Sequence, residues 1–202
     1  RLSDIVRESP FPLGAARIEG ELRQARGATA VHATLSSAAA EVFGQRGTFV
    51  GPINASLNAD GFVLTADLQS TSGAAPLLAR ARLHANLAID RRGRFALNQA
   101  SFDGDAALLE ARGWARDGDG EFSGAWRARR LGALFPDLSG GASGQWRAFA
   151  ARQGAHYLWT TTFQGAGANV GGRDVVAQVL GRSPHIDALL RNENGGITVS
   201  HA

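Results

Sequence analysis

Apolar and polar residues alternate along most of the chain, and the alternation is cleanest from Leu77 to Ile89. Leu77, Ala79, Ala81, Leu83, Ala85, Leu87 and Ile89 are apolar, with Arg80, Arg82, His84 and Asn86 among the residues between them. A strand sends successive side chains to opposite faces, whereas a helix would scatter both sets around its circumference. The pattern predicts a single strand of about thirteen residues, roughly 43 Å long at ~3.3 Å each, with one oily face and one basic, polar face.

The same period recurs on both sides. Ile18, Gly20 and Leu22 alternate with Arg17, Glu19, Glu21 and Arg23, and Val31, Ala33 and Leu35 follow a turn at Arg26-Gly27. Thr48–Asn58 and Phe62–Gln69 form the clearest hairpin, with Asp60-Gly61 as its tight-turn pair. Further turns at Arg91-Arg92-Gly93, Asp103-Gly104 and Asp117–Gly120 separate strands over 94–102, 106–116 and 121–129. Strands are also expected over 145–151, 156–163, 186–191 and 197–201. Strands that follow one another without intervening helices predict an antiparallel meander rather than a βαβ array.

Short helices are expected at two or three places. Ser36–Phe43 has a serine cap and an alanine run, Arg173–Leu180 has apolar residues at helical spacing before Gly181, and Ser3–Arg7 allows one turn. Leu131–Gly144 (LGALFPDLSGGASG) breaks the rhythm as a short helical turn or irregular connection, stopped by Pro136 and followed by a Ser/Gly hinge, and Gly165–Gly172 reads as a loose glycine loop. The domain expectation is therefore one segment over 1–202 with a weak sub-boundary near 131–144.

Composition narrows the chemistry. All 21 basic residues of the 202 are arginine, which excludes Schiff-base and Walker lysines. The absence of cysteine excludes disulfides and thiolate sites. A net charge of only +3 gives no nucleic-acid signal. No apolar run is long enough to cross a bilayer as a helix. The lack of methionine and the start at Arg1 predict a piece of a longer protein, with any anchor or export signal outside it.

Motifs for catalysis are missing. The five histidines are scattered without convergent metal ligands, so no metal site is expected. Gly165–Gly171 misses the dinucleotide glycine spacing, and Asp117, Asp119 and Glu121 lack the rest of a calcium loop. The expectation is a non-enzymatic protein without cofactor or metal. The second-half aromatics, including Trp114, Trp126, Trp146 and Trp159, are expected on a packed β surface rather than stacking nucleic-acid bases.

Leu131–Gly144 followed by an amphipathic strand, and Val175–His201 (VVAQVLGRSPHIDALLRNENGGITVSH), resemble the TamB family of translocation and assembly modules. More distantly, they resemble the AsmA-like bridge-like lipid transfer proteins. The resemblance covers roughly the last 70 residues, while the first 130 match only in their alternation. It implies a mainly β fold, an elongated antiparallel meander curling into an open groove, the β-taco. It further implies a periplasmic protein anchored in the inner membrane of a Gram-negative envelope, with the outer-membrane barrel TamA as partner. Phospholipid movement between the membranes and outer-membrane protein assembly are the implied roles.

A one-faced sheet must cover its apolar side by closing into a barrel, packing on a second sheet or accepting lipid tails. For the last case the candidate lipid-facing residues are Phe62, Leu64, Leu68, Leu77, Ala79, Ala81, Leu83, Leu87, Ile89, Phe122 and Trp126. Asp at Ala81 or Leu83 is expected to block phospholipid acyl chains. The alternatives are a scaffold that pairs strands with outer-membrane protein substrates, and a closed β-barrel that binds a small apolar ligand.

Overall fold

The computed structural model describes residues 16–25, 27–37, 40–42, 45–71, 76–153, 156–172, 181–193 and 196–200. Among these residues fourteen strands run in order: β1 (Ala16–Ala25), β2 (Ala28–Ser37), β3 (Ala40–Val42), β4 (Gln45–Gly47), β5 (Phe49–Asn58), β6 (Gly61–Ser70) and β7 (Arg82–Asp90). They continue with β8 (Phe95–Asp103), β9 (Ala107–Arg116), β10 (Asp119–Ala128), β11 (Leu138–Gln153), β12 (His156–Gly172), β13 (His185–Glu193) and β14 (Gly196–Ser200). All but β3 and β4 make one 12-stranded sheet in sequence order; β3 and β4 form a separate small hairpin.

Each neighbouring pair in the large sheet is antiparallel, as expected of a meander, and β1 and β14 are its two ends. The sheet is curled and open. The closed barrel is overturned, since the two ends are not partners. An accessible surface of 13631 Å² exceeds the roughly 9,000 Å² of a compact chain of this mass, which fits a single thin layer.

The two ends of the strands are built differently. At one, strands meet in two-residue turns: Ala25 pairs Ala28, Asn58 pairs Gly61, and Arg116 pairs Asp119. Asp117 and Gly118 both have positive φ (51° and 92°), the handedness that a twisted hairpin needs. The loop at 91–94 is held by the Asp90 carboxylate, which accepts the backbone N–H groups of Arg92 (2.8 Å) and Arg94 (2.9 Å). The other end carries the β3–β4 hairpin, the turn 76–81 and the connections 104–106 and 129–137.

Nearly all buried apolar residues lie at this connection end. Leu78 and Ala81 pack with Phe49 against Leu68, Leu83 and Phe102. Leu131, Ala128, Ala142 and Val170 pack against Trp126, Leu134 and Leu138. Gln45 joins the connections: its Nε2 donates to the Ala133 carbonyl (3.1 Å), and its Oε1 accepts from the Leu77 N–H (2.8 Å). One amide thus ties the segment before β5 to those before β7 and after β10.

Several expectations are corrected. The strand predicted over Leu77–Ile89 is β7, which begins only at Arg82. Leu77 and Leu78 are both buried (1% and 0% exposed). Successive residues of a one-sided strand cannot both face its core, so the chain turns here, with Arg80 at φ 54°. The hairpin loop is Ala59-Asp60 rather than Asp60-Gly61. Asn58 Oδ1 accepts the N–H groups of both Asp60 and Gly61, so Gly61 already belongs to β6.

The helix expected over Ser36–Phe43 is contradicted where it is described: residues 36–37 end β2 and Ala40–Val42 are β3. An eight-residue alanine-rich helix is marginal in water, and backbone pairing with neighbouring strands outweighs its propensity. Helices at 3–7 and 173–180 lie outside the described residues. Among the described residues the helical content is one 3-10 turn, Leu131–Ala133, as expected for the start of that link.

The Ser/Gly hinge and the loose glycine loop are also strands, and they pair with each other: Leu138 with Gly172, Ala142 with Gly167, Gly144 with Gly165. Such residues show no apolar alternation, but the backbone ladder requires none. From Leu138 onward the former hinge is thus part of β11, between β10 and β12 in the sheet.

A candidate lipid-binding groove

The register carries one apolar row across the sheet. Leu22, Val31, Ala55, Leu64, Leu87, Leu97, Gly113, Phe122, Ala148, Thr161 and Leu190 are successive cross-strand partners from β1 to β13. Only Thr161 is polar. Parallel rows lie to either side: Leu57, Phe62, Ile89, Phe95 and Ala115 toward the turns, and Leu68, Leu83, Phe102, Leu109 and Trp126 toward the connections. Beta-bulges in β8 preserve this: Leu97 and Ala100 pair Leu87 and Ala85, so the extra residue is absorbed without moving the apolar set to the other face.

Among the described residues no second layer covers this face beyond the connection end. Most of its large side chains are half-buried by their neighbours, and Leu22, Leu57, Ile89 and Leu109 are exposed by 68%, 54%, 39% and 47%. Contiguous apolar surface of this kind is the sort found at interaction surfaces and in ligand grooves.

The floor differs along its length. From β5 to β8 it consists of aliphatic side chains with Phe62, Phe95 and Phe102. From β9 to β12 large rings stand opposite glycines: Phe122 opposite Gly113, Trp146 opposite Gly124, Trp126 opposite Gly144. The rings lie across the strands. A Cβ at Gly124 would fall 2.7 Å from Trp146 Nε1, and one at Gly165 would fall 2.6 Å from Trp126 Cζ2. These glycines are needed for close approach rather than for a turn. Trp146 Nε1 donates to the Glu110 carbonyl (3.1 Å), whereas the buried Trp126 Nε1 has no partner. Phe95 and Phe122 pack at 6.3 Å between ring centroids.

The expected lipid-facing residues divide into two groups. Phe62, Leu64, Leu68, Leu83, Leu87, Ile89, Phe122 and Trp126 share the apolar face. Leu77 and Ala79 lie in the turn before β7, and Leu77 and Ala81 are packed away from solvent. The second-half aromatics also divide: Trp146, Trp159 and Phe163 join the apolar face, while Trp114 lies on the polar one, with the Arg94 guanidinium 5.2 Å above its ring.

The polar face carries cross-strand pairs that sequence spacing could not reveal, among them His32–Asn54 and Asp67–His84. Asp67 and His84 are cross-strand partners, with His84 Nδ1 and Asp67 Oδ1 2.5 Å apart. Ser101 lies opposite His84 on the next strand, but no hydrogen bond joins them. Groups of three potential metal ligands are not found among the described residues.

The fold and face together define a class: an open, one-sided antiparallel groove. No family model, curated protein or solved structure matches the chain.

Proposed function

We propose that this chain is a groove segment of a TamB-like periplasmic protein, which holds phospholipid acyl chains on its apolar face and passes them between inner and outer membranes. The observation that carries this reading is the apolar row through the sheet, with large side chains left partly open to solvent. Acyl chains laid on that row gain about 25 cal/mol for each Å² withdrawn from water, without directed hydrogen bonds. The resemblance of 131–144 and 175–201 to TamB supports the periplasmic setting, the inner-membrane anchor, the TamA-like barrel as partner and a contribution to outer-membrane protein assembly.

Photo-crosslinking tests the face assignment. Benzoylphenylalanine at Leu64 or Leu87 is expected to capture phospholipid in cells, and the same group at neighbouring Thr65 or Asn86 is not. Equal capture from both faces would overturn the groove reading.

A second reading, a scaffold that pairs strands with outer-membrane protein substrates, draws on the outward side of β1. That edge alternates Arg17, Glu19, Glu21 and Arg23, with ion pairs Arg17–Glu19 and Arg23–Glu21. Charged edges discourage indiscriminate strand addition, so the lipid reading is preferred.

A further inference from the structure

The polar face is not featureless. A hollow of about 510 Å³ opens over β8–β11. Its floor is the small pair Ser123 and Ala125 of β10, and longer residues wall it: Glu110 and Arg112 on β9, Gln145 and Arg147 on β11. Ser123 is the direct cross-strand partner of both arginines. Their Cα atoms are therefore two strand spacings apart, about 9.5 Å, and both residues line the hollow.

Neither guanidinium meets a carboxylate among the described residues, whereas Arg80, Arg116 and Arg129 lie 2.6, 3.1 and 2.7 Å from Asp105, Asp117 and Asp103. Two like charges flanking one hollow repel each other, and an oxyanion between them would relieve that repulsion. Guanidinium groups present paired N–H donors that match tetrahedral oxyanions. Two carboxylates share this face, Glu110 two residues from Arg112 on β9 and Glu121 two residues from Ser123 on β10, so the position between the two arginines is the one where an anion gains most.

We propose that Arg112, Arg147 and Ser123 form an oxyanion site for a phosphate group on the polar face. It stands independently of the groove proposal, because the two use opposite faces of the sheet. The phosphate belongs either to a free ion or to a phosphomonoester headgroup, and two arms of one experiment separate these.

Inorganic phosphate is titrated calorimetrically into the purified chain at low ionic strength, alongside Arg112→Gln/Arg147→Gln and the control Arg191→Gln on β13. In parallel, each protein is floated with phosphatidylcholine vesicles with and without phosphatidate. Saturable phosphate binding, weakened at least about tenfold in the double variant and unchanged in the control, is expected for a free-ion site. Flotation only with phosphatidate, lost in the same variant, assigns the phosphate to a headgroup. No saturable response in either arm, or equal weakening by Arg191→Gln, overturns the proposal.

Discussion

The two ends of the strands use the same apolar residues for different purposes. At the connection end, Leu77, Leu78 and Leu131 are buried beneath the chain that carries them, and Phe49, Ala142 and Val170 are buried with them. At the turn end, Leu22, Leu57 and Ile89 remain exposed on the same face. The difference lies in the loops: two-residue turns bring no side chains with which to cover anything, whereas the longer connections fold over the sheet. Buried contacts are thus concentrated at one end, and most of the open apolar surface, Leu109 apart, lies toward the other.

This contrast predicts a graded series of effects. Leu78→Ala should cost about 2–5 kcal/mol, because it opens a cavity in the closed end. Leu57→Ala should stay within about 0.5 kcal/mol of the parent. Urea unfolding measures both, and equal losses would break the comparison. Gln45→Ala should cost about 1–3 kcal/mol by leaving the Leu77 N–H and Ala133 carbonyl without their partner.

Tryptophan substitutions sharpen the comparison along the floor. Trp126→Phe removes a donor that has no partner and should change stability by less than about 1 kcal/mol, in the stabilising direction if the ring stays over Gly165. Trp146→Phe loses its bond to Glu110 and should cost about 1 kcal/mol. Thermal unfolding of the two variants tests this order, and the reverse order would show that the unpartnered indole matters more for packing than for polarity.

The smallest expected effect belongs to Asp90 in the turn at 91–94. The N–H of Arg94 is the largest influence holding its carboxyl below the ordinary 3.8, assisted by the Arg92 N–H and by the charges of Arg116 and Arg92, against partial desolvation. A folded value below the unfolded one means that the contribution is complete above 3.8 and is lost as pH falls through the folded value. Asp90→Asn should therefore be slightly less stable at neutral pH, and the gap should close in acid. A gap that stays constant with pH would show that the carboxylate's charge plays no part.

Much of the sheet was legible because a period of two survives in β1, β2 and β5–β10, where apolar side chains face one way. Legibility failed where that signal was absent or mimicked. Leu77–Ala81 kept the alternation, but the extra apolar residue at Leu78 required a turn. The paired stretches 138–144 and 165–172 contain little but glycine, alanine and serine, so nothing in their side chains marked them as strands. Placing the tryptophans required the register: Trp114 and Trp126 are twelve positions apart and lie on opposite faces, because the two-residue turn at Asp117-Gly118 sets odd-numbered residues of β9 opposite even-numbered residues of β10. The Asp67–His84 pair and the hollow around Ser123 join residues from different strands and were invisible for the same reason.

Native mass spectrometry of the purified chain, with lipid extraction from the same sample, tests the central claim that the exposed part of the apolar face holds acyl chains. The variant to compare is Leu57→Asp/Ile89→Asp, because both positions are exposed, so a charge there stays in water, unlike one at the buried Ala81. The account predicts phospholipid adducts on the parent chain that disappear in this variant while the unfolding midpoint is retained. A folded parent chain free of lipid, or adducts that persist in the charged variant, would contradict it.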